Sequence, residues 1–415
     1  MRVRPGRAGP FHLKQRSRVN HRGAGQRCQP NSPLVCSEES EPNDSFNATL
    51  RGDMAAIPAQ GGFLERTRGA RKVMVLDLGF LGDTVHLLPA LWMVRRAYPE
   101  AELHAAVSDH ILSLMVCVPW VDRAWGYARY PTHATLRQNL QMVARLRRER
   151  FDVLINLNGS DRSSWLSFLS GARARLGRRP RDGGPPFWGR MFTEFVNYYS
   201  FTEPVYIQKC RCLEQAGFPF TQAEFHSQID PANLQAAGIT PAETGTYFHL
   251  SPFTTADKKE LPPEQFAELI SRLESRFPEK RWVLSAAPTE RERAKMAALV
   301  AMLPRKPWRV LAGNLDLVQL SAVIQHAAVH LCGDTGTLHL ALMTGTSTVS
   351  WFRSGPGTIG WIPVGDRHRT VHGTVVGEGK PLQGVKTSEL VSAVEAVLSA
   401  GRIVPGDRRR DLRPG

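Results

Sequence analysis

Residues 72–91 read KVMVLDLGFLGDTVHLLPAL, and this stretch decides the fold. It opens with a short, mostly apolar run that ends at a glycine, which is typical of a strand buried inside a parallel sheet. Apolar residues then recur at helical spacing until Tyr98-Pro99 stops the helix. Because proline is tolerated only near a helix start, we expect Pro89 in the first turns or at a mild kink. The stretch therefore predicts a strand, a glycine turn and a helix.

Strands and helices continue to alternate on both sides of residues 218–245, a segment rich in Pro, Gly, Gln and Ala that predicts a linker. Before the linker, strands are predicted at 102–107 and 152–157 and helices at 109–116, 135–150 and 163–169. After it, strands are predicted at 246–250, 282–286, 310–312, 329–332 and 346–352, with helices from Pro263 and Thr289 and at 317–326, 338–343 and 388–398. Thr289 and Glu292 form a capping-box pattern. This order is typical of parallel sheets covered by helices on both faces.

Two domains of similar size follow from this order. We predict an α/β protein with two Rossmann-like, doubly wound parallel-sheet domains, residues 71–235 and 245–400, that face a central cleft. Residues 1–70 show little hydrophobic periodicity and are predicted to be a disordered basic arm, and residues 401–415 a basic tail. We expect residues 1–53 to be dispensable, and translation from Met54 would remove most of the charge of the arm.

Composition excludes several classes of protein. With 415 residues, 42% hydrophobic and 22% charged, the chain is of the globular rather than the collagen-like, mucin-like or disordered type. No run approaches the roughly 18 apolar residues that span a bilayer. The six cysteines form no CxxC pair, which argues against a zinc ribbon or a disulfide scaffold and suits a reducing compartment.

The net charge of +15 is concentrated at the two ends of the chain. The first 30 residues carry eight basic residues and no acid, and residues 401–415 carry five arginines against two aspartates. A basic arm can bind nucleic acid or anionic lipid. An unstructured tail is the simpler interpretation, so no nucleic-acid partner is expected.

The turn after the first predicted strand offers a candidate catalytic carboxylate. Gly79 and Gly82 permit a tight turn, and Asp83 then lies at a helix N-terminus, where backbone amides and the helix dipole stabilise a carboxylate. Asp83 is either a helix N-cap or a general base at the cleft, and both interpretations stay open at this point. His86, three residues on, shares the helix face and would hold a substrate or orient the acid, unless it is structural.

Two loops of the second predicted domain are candidate phosphate sites. GDTGTLH at 333–339 follows a strand, and its hydroxyls and free amides at a helix start suit a diphosphate. His339 can donate to a phosphate oxygen, while an N-cap role also explains Asp334. In the loop SPFTTADKK at 251–259, two hydroxyls and two lysines precede a helix that begins with proline. That loop is either a phosphate site or an ordinary surface loop.

Other patterns carry less weight. GPGTIG at 355–360 matches the dinucleotide fingerprint, but no helical period follows it, so we interpret it as a loop. The sequence has no GxxxxGK[ST], GxSxG or HExxH motif, and no DxD metal motif occurs at the candidate sites, so no metal site is predicted. Arginines and glycines at 173–184 predict a flexible basic segment that either grips a phosphorylated acceptor or is a plain exposed loop.

Taken together, these motifs resemble glycosyltransferase family 9, the ADP-heptose:lipopolysaccharide heptosyltransferases. VMVLDLGFLGDTVHLLPAL at 73–91, followed by RRAYPEAEL and PWVDR, resembles the N-terminal signature of the family. GDTGTLHLALMTGTSTVSWF at 333–352 resembles its donor motif and TTADKKELPPEQFAEL at 254–269 its Thr-Thr loop. VLINLNGSDRSS at 153–164, with GARARLG, is similar to its middle segment. The likeness runs in order from about residue 71 to 398.

The resemblance implies a GT-B-type fold and inverting transfer of a heptose from ADP-heptose to a lipid A–Kdo acceptor, the lipopolysaccharide inner core. It implies no nicotinamide cofactor and no tightly bound metal, and a cytoplasmic enzyme that is peripheral on the inner membrane. It makes Asp83 the catalytic base. The donor-binding residues that it implies are Thr254, Thr255, Lys259, Asp334, Thr335, Gly336, Thr337 and His339. The acceptor-binding residues that we predict are His86 and Arg162.

Three residues depart from the family pattern. Leu261 replaces a usual tryptophan, and Asp77 stands where several members carry a basic residue facing the acceptor. Pro288 stands where an acid usually meets the nucleoside of the donor. The alternatives are a GT-B transferase that uses another nucleotide sugar, an epimerase with the same cleft, and a non-catalytic protein that binds nucleotide sugars or nucleic acid, in which Asp83 is only a cap.

Overall fold

Buried apolar runs form the middle strands of two parallel sheets in the computed structural model, which describes residues 62–400 apart from 129–133, 181–182, 184–186, 356 and 378. We call the part built on the first sheet the first domain and the part built on the second sheet the second domain. Both sheets have six strands, and every pairing within them is parallel. The predicted α/β class, with two Rossmann-like sheets, is therefore confirmed.

The first domain follows the predicted alternation. Its strands are β1 (Lys72–Leu76), β2 (Glu102–Ser108), β3 (Arg123–Tyr127), β4 (Val153–Asn156), β5 (Ala174–Arg178) and β6 (Glu194–Val196). Its helices are α1 (Phe63–Thr67), α2 (Leu81–Val85), α3 (Leu88–Ala97), α4 (Leu136–Glu149), α5 (Asp161–Leu169), α6 (Trp188–Met191) and α7 (Val205–Gln215), with a 3-10 helix at Asp109–Cys117. The strand order β3-β2-β1-β4-β5-β6 puts β1 near the centre, where the chain changes direction across the sheet.

The second domain repeats this architecture. Its strands are β7 (Tyr247–Ser251), β8 (Arg281–Ala286), β9 (Arg309–Ala312), β10 (Val329–Gly333), β11 (Thr348–Arg353) and β12 (His368–Gly373). Its helices are α8 (Pro263–Arg276), α9 (Glu290–Met302), α10 (Leu317–Gln325), α11 (Gly336–Thr344) and α12 (Thr387–Ala400). Short 3-10 helices lie at Pro231–Ala237, Pro241–Glu243, Asp257–Lys259 and Ile359–Trp361. The order β12-β11-β10-β7-β8-β9 puts β7 and β10 at the centre.

One cluster of buried apolar side chains continues from the first domain into the second. It joins Val73 and Val75 of β1 to Ile324 of α10 and Leu340 of α11. The 3-10 helix Pro231–Ala237, which falls in the predicted linker, packs against α10. The two domains are therefore joined by a shared apolar core.

The predicted disordered arm, residues 1–70, is wrong at its described end. Helix α1 buries Phe63 and Leu64, which are 2% and 8% exposed. Leu64 N–H donates to the carbonyl of Ala216 at 3.1 Å, and the hydroxyls of Thr67 and Tyr98 lie 2.6 Å apart. These contacts tie α1 to the first domain. Residues 1–61 and 401–415, with the rest of the predicted arm and the basic tail, lie outside the described residues.

Several local predictions need correction. Residues 174–178 of the predicted flexible segment form strand β5, which pairs with β4 and β6, and the Arg175 and Arg178 side chains donate to the main-chain carbonyls of Met191 and Tyr198. The helix predicted at 109–116 is a 3-10 helix. At the N-terminus of α9, the Thr289 hydroxyl accepts from Glu292 N–H, but the Glu292 carboxylate accepts from Ala287 N–H rather than completing a capping box.

Pro89 lies at the start of α3, as predicted. The helix is interrupted between α2 and α3, which places the proline where its missing N–H is tolerated. None of the helices in the described part of the chain is long and apolar enough to cross a membrane.

Candidate functional site

Asp83 lies in the stretch of residues 77–83 that follows the central strand β1 and enters helix α2; we call this stretch the base loop. The first residue before α2 is Phe80, so Asp83 is the third residue of the helix and the predicted N-cap role is wrong. The half-buried Asp83 carboxylate accepts a hydrogen bond from Phe80 N–H at 2.9 Å. Its position in the first turn of α2 places it in the positive field of the helix N-terminus. The carboxylate is therefore held at the carboxyl end of the first sheet.

Three glycines lie where other groups approach closely around the base loop. A Cβ atom at Gly79 would overlap the side chain of Asp83, and a Cβ at Gly82 would lie 2.8 Å from the ring of His339 in the second domain. On the other side, a Cβ at Gly336 would lie 2.9 Å from Leu81. Glycine at these positions lets the two domains approach within van der Waals contact at the base loop.

His86 meets His339 across the domain boundary. The Nε2 atom of His86 and the Nδ1 atom of His339 lie 3.1 Å apart, and the ring of Trp361 packs beside both. Burial holds the pKa of His86 well below its ordinary value and lowers that of His339 to about 4, with a smaller contribution to the latter from Lys259. Both rings are therefore neutral at pH 7. The contact with an acceptor assigned to His86 stays a prediction.

The second candidate loop, residues 333–339, which we call the donor motif, begins helix α11. Its N-cap is Thr335, so the N-cap role considered for Asp334 is wrong. Asp334 instead forms an ion pair with Lys259, with Oδ2 and Nζ 2.6 Å apart. The Thr337 hydroxyl lies 3.2 Å from Nε2 of His330. The first amides of α11 point out of the helix N-terminus, where an anion is stabilised.

The third candidate loop, residues 251–259, follows β7, the strand beside β10; we call it the phosphate loop. Thr254 is buried, and its hydroxyl donates to the carbonyl of Ala256 at 2.8 Å, so it shapes the loop. Thr255 is exposed and Lys259 is half-buried. The structure thus brings Thr255 and Lys259 of this loop to the same sheet edge as the donor motif.

A network of charges anchors the phosphate loop from behind. The buried Glu260 carboxylate accepts from Thr254 N–H at 2.8 Å and pairs with Arg291 at 2.8 Å and Lys295 at 2.6 Å. Asp257 also pairs with Arg291 and Lys295, and these contacts lower the pKa of the Asp257 carboxyl. Sequence patterns did not indicate this network, because its members come from two separate elements.

A cavity of about 230 Å³ opens beside these loops at the carboxyl ends of β7, β8 and β9. Its lining includes Leu81 of the base loop's helix, Thr255, Pro288, Glu292, Gly313 and the donor-motif residues Thr335–Thr337. Burial raises the pKa of the Glu292 carboxyl. The cavity joins a mostly apolar lining to the N-terminus of α11, where an anionic group is stabilised.

The base loop begins with an ion pair. Asp77, which stands where the family pattern has a basic residue, is fully buried and pairs with Lys209 of α7 at 2.6 Å. Lys209 was missed, although the sequence carried a signal: it lies on the helix face that also holds Tyr206, Cys210 and Leu213. Arg162 is exposed at the start of α5, and its contact with an acceptor stays a prediction.

No cluster of three or more His, Cys, Asp or Glu side chains that could hold a metal ion occurs within residues 62–400 as far as they are described. The absence of a metal from the proposed reaction stays an expectation.

Comparisons with known proteins identify one family and several relatives with similar sequences. The model of the family described as "Glycosyltransferase family 9 (heptosyltransferase)" matches residues 140–380. The chain is 22% identical over 289 residues to the lipopolysaccharide core heptosyltransferase OpsX of Haemophilus influenzae, a match covering 69% of this chain and 80% of that protein. It is 26% identical over 295 residues to lipopolysaccharide heptosyltransferase 1 of Pseudomonas aeruginosa, covering 68% and 78% of the two chains.

Solved structures share the fold. A glycosyltransferase family 9 protein of Veillonella parvula matches with a TM-score of 0.68 and 18% identity, over 80% of this chain and 97% of that one. The Escherichia coli ADP-heptose lipopolysaccharide heptosyltransferase II matches with a TM-score of 0.65 and 18% identity, over 80% and 99%. The predicted GT-B arrangement of two Rossmann-like domains is confirmed by these matches.

Proposed function

Because this chain belongs to glycosyltransferase family 9, we propose that it transfers a heptose from ADP-heptose to the lipopolysaccharide inner core, with inversion at the anomeric carbon. The observation that supports this most is the contact between the base loop and the donor motif. Leu81 touches Gly336, and Gly82 lies against His339. A carboxylate on one sheet and an anion site on the other thus lie on either side of one boundary.

The proposed mechanism is a single displacement. The Asp83 carboxylate takes the proton of an acceptor hydroxyl while that oxygen forms a bond to the anomeric carbon of the donor. The bond between the anomeric carbon and the β-phosphate oxygen breaks, and the electron pair leaves with the nucleoside diphosphate. Lys259 and the amides at Thr335–Thr337 stabilise the negative charge that develops on the diphosphate. Attack from the opposite face inverts the sugar.

The donor residues divide into two roles in this proposal. Lys259, Thr255 and the amides of Thr335, Gly336 and Thr337 contact the diphosphate, and the cavity of about 230 Å³ holds the nucleoside. Thr254, Asp334 and His339 act indirectly, because they form hydrogen bonds to the loop backbone, to Lys259 and to His86 respectively. No tightly bound metal is proposed.

A different nucleotide sugar is the second candidate, and one observation favours keeping it. Pro288 lines the cavity where the family pattern has an acid, and Glu292 provides a carboxylate in the same lining. Calorimetric titration with ADP, UDP and GDP decides between the donors. We expect ADP to bind most tightly, and preference for another nucleotide would replace ADP-heptose as the donor.

The transfer itself is tested by incubating the protein with ADP-heptose and a lipid A–Kdo acceptor and measuring ADP release and product mass. Release that depends on the acceptor supports the proposal. No release with any nucleotide sugar of a panel would leave a binding protein and overturn it.

We also propose that the enzyme works in the cytoplasm, at the surface of the inner membrane, where such an acceptor is anchored. Three exposed aromatic side chains on α5 and before α6 support this: Trp165 is 47%, Phe168 42% and Phe187 43% exposed. Trp165 stacks on Phe187, and the Arg175 guanidinium lies over Phe168. Aromatic rings beside an arginine suit the interface of an anionic bilayer.

Co-sedimentation with anionic vesicles tests this surface. Trp165→Ala with Phe168→Ala is expected to reduce binding, whereas Phe201→Ala, an exposed phenylalanine in the loop before α7, should not. Equal binding of both variants would show that the membrane is met elsewhere or not at all.

A further inference from the structure

We propose that Lys209 is a positioning residue, one that fixes the base loop by holding the main-chain carbonyl of Asp83. The inference rests on the proposed function in one respect only, the assignment of Asp83 as the base. The linkage itself is a feature of the first domain.

The contacts form a short chain of hydrogen bonds. The Lys209 ammonium, on helix α7, lies 2.6 Å from Oδ2 of Asp77 and 2.8 Å from the carbonyl oxygen of Asp83. The other oxygen of Asp77 accepts from Gly79 N–H and from the side-chain amide of Asn158, both at 3.0 Å. The two charged side chains are 3% and 1% exposed. The buried Lys209 ammonium is therefore hydrogen-bonded to both ends of the base loop, at Asp77 and at Asp83.

The local backbone explains why a donor is useful there. Helix α2 is a single turn, and Leu87 N–H donates to the carbonyl of Thr84 at 3.1 Å, in a tightened turn. Carbonyls at the end of such a helix need partners from outside, and a cation is favoured at this end of the helix dipole. Lys209 supplies both a hydrogen-bond donor and a positive charge at the main-chain carbonyl of Asp83. Asp83 is also the residue whose carboxylate must be oriented towards the acceptor.

Stability alone is a weak reason for this arrangement. A buried ion pair is often replaceable by uncharged side chains with little loss of folding free energy, because desolvation offsets the attraction. An apolar side chain at 209 would still fill the space, but it could not donate to the Asp83 carbonyl. The two roles, packing and positioning, can therefore be separated by substitution.

The experiment compares two double variants in which positions 77 and 209 are both uncharged. The variants differ only in whether the side chain at 209 can donate a hydrogen bond. D77N/K209M and D77N/K209Q both remove the two charges and keep an acceptor at 77 for Gly79 and Asn158. Only glutamine at 209 can donate to the Asp83 carbonyl. Melting temperatures, kcat, donor KM and hydrogen exchange of residues 77–88 are measured for both variants and the parent, with kinetics well below the lower melting temperature.

If Lys209 positions the loop, D77N/K209M loses about tenfold or more in kcat at nearly unchanged donor KM, since small displacements of a reacting group are costly. Its base loop exchanges faster, and D77N/K209Q recovers part of both properties. Equal kcat and equal exchange in the two variants would overturn the proposal and leave a packing role. A parent that transfers no sugar would refute the proposed function, while the exchange data would still decide whether Lys209 fixes the loop.

Discussion

Lys259 and Asp334 join the phosphate loop to the donor motif. Their side chains, 75 positions apart in the chain, meet at 2.6 Å, with 31% and 19% of each exposed. A diphosphate that binds at the start of α11 must share the lysine with this carboxylate. The pair keeps the ammonium at the edge of the site before any ligand arrives.

Lys259→Ala is expected to weaken donor binding. Loss of one charge-assisted contact with phosphate costs about 1.5–3 kcal/mol, which corresponds to roughly 10- to 100-fold in the donor Kd. Titration with the nucleoside diphosphate measures the change. Lys258→Ala is the matched control, because Lys258 is exposed in the same 3-10 helix. Similar losses in both variants would show that net charge alone, not this ammonium, holds the donor.

Asp83→Asn is expected to reduce turnover by about 100-fold or more, because positioned base catalysis contributes about 10²–10⁴ in rate. Asparagine retains an oxygen that can accept from Phe80 N–H, so the loop and the melting temperature should change little. Steady-state kinetics and donor titration on the purified variant measure both effects. Turnover within a few-fold of the parent would mean that the carboxylate serves only the first turn of α2.

Gly79→Ala is expected to impair catalysis without unfolding the protein. A Cβ at this position overlaps the Asp83 side chain, so the carboxylate has to move, and kcat should fall by about tenfold or more. Gly69→Ala serves as control, since no atom lies within 4 Å of its added Cβ. Parent-like kcat in Gly79→Ala would indicate that the position of this carboxylate is unimportant for the reaction.

Acid is expected to destabilise the fold through buried histidines. Burial lowers the pKa of His330 to about 3 and that of His339 and His368 to about 4, from the ordinary 6.5. Between these values the unfolded chain binds protons that the folded chain does not. The free energy of unfolding is therefore highest above pH 6.5 and falls as the pH is lowered towards 4.

Calorimetric melting temperatures across this interval test the expectation. His330→Gln should make the decline shallower, because the folded chain then has one fewer buried imidazole with a lowered pKa. A melting temperature that stays constant as the pH is lowered through this interval would contradict it.

The central strands and their loops could be predicted because burial on both faces demands continuous apolar runs. β1 has such a run, β7 and β10 have runs interrupted only by a buried histidine, and glycine or hydroxyl residues mark the turn after each strand. The edge strands β3 and β12 were not predicted, since one side of each is unpaired and residues such as Arg123 and His368 are tolerated there. Strand periodicity weakens where burial is partial.

The parts of the site that sequence patterns missed depend on distant contacts. Nothing near Asp334 indicates a lysine 75 positions earlier, so a local capping role was the natural hypothesis. Asp77 and Lys209 are 132 positions apart in the chain. They pair because α7 packs beside the carboxyl end of β1, where Asp77 lies. Local patterns predict where a loop lies, whereas ion pairing depends on which helices cover the sheet.

Gly82 and Gly336 carry no functional group, yet each removes a methyl-sized obstacle between the domains. Reactivity depends steeply on the separation of reacting groups. The distance between the domains at these two glycines therefore influences the rate of any reaction in the cleft. Adding one carbon at either position would push the two domains apart. Rate could then be altered by size alone, at two positions that have no side chain of their own.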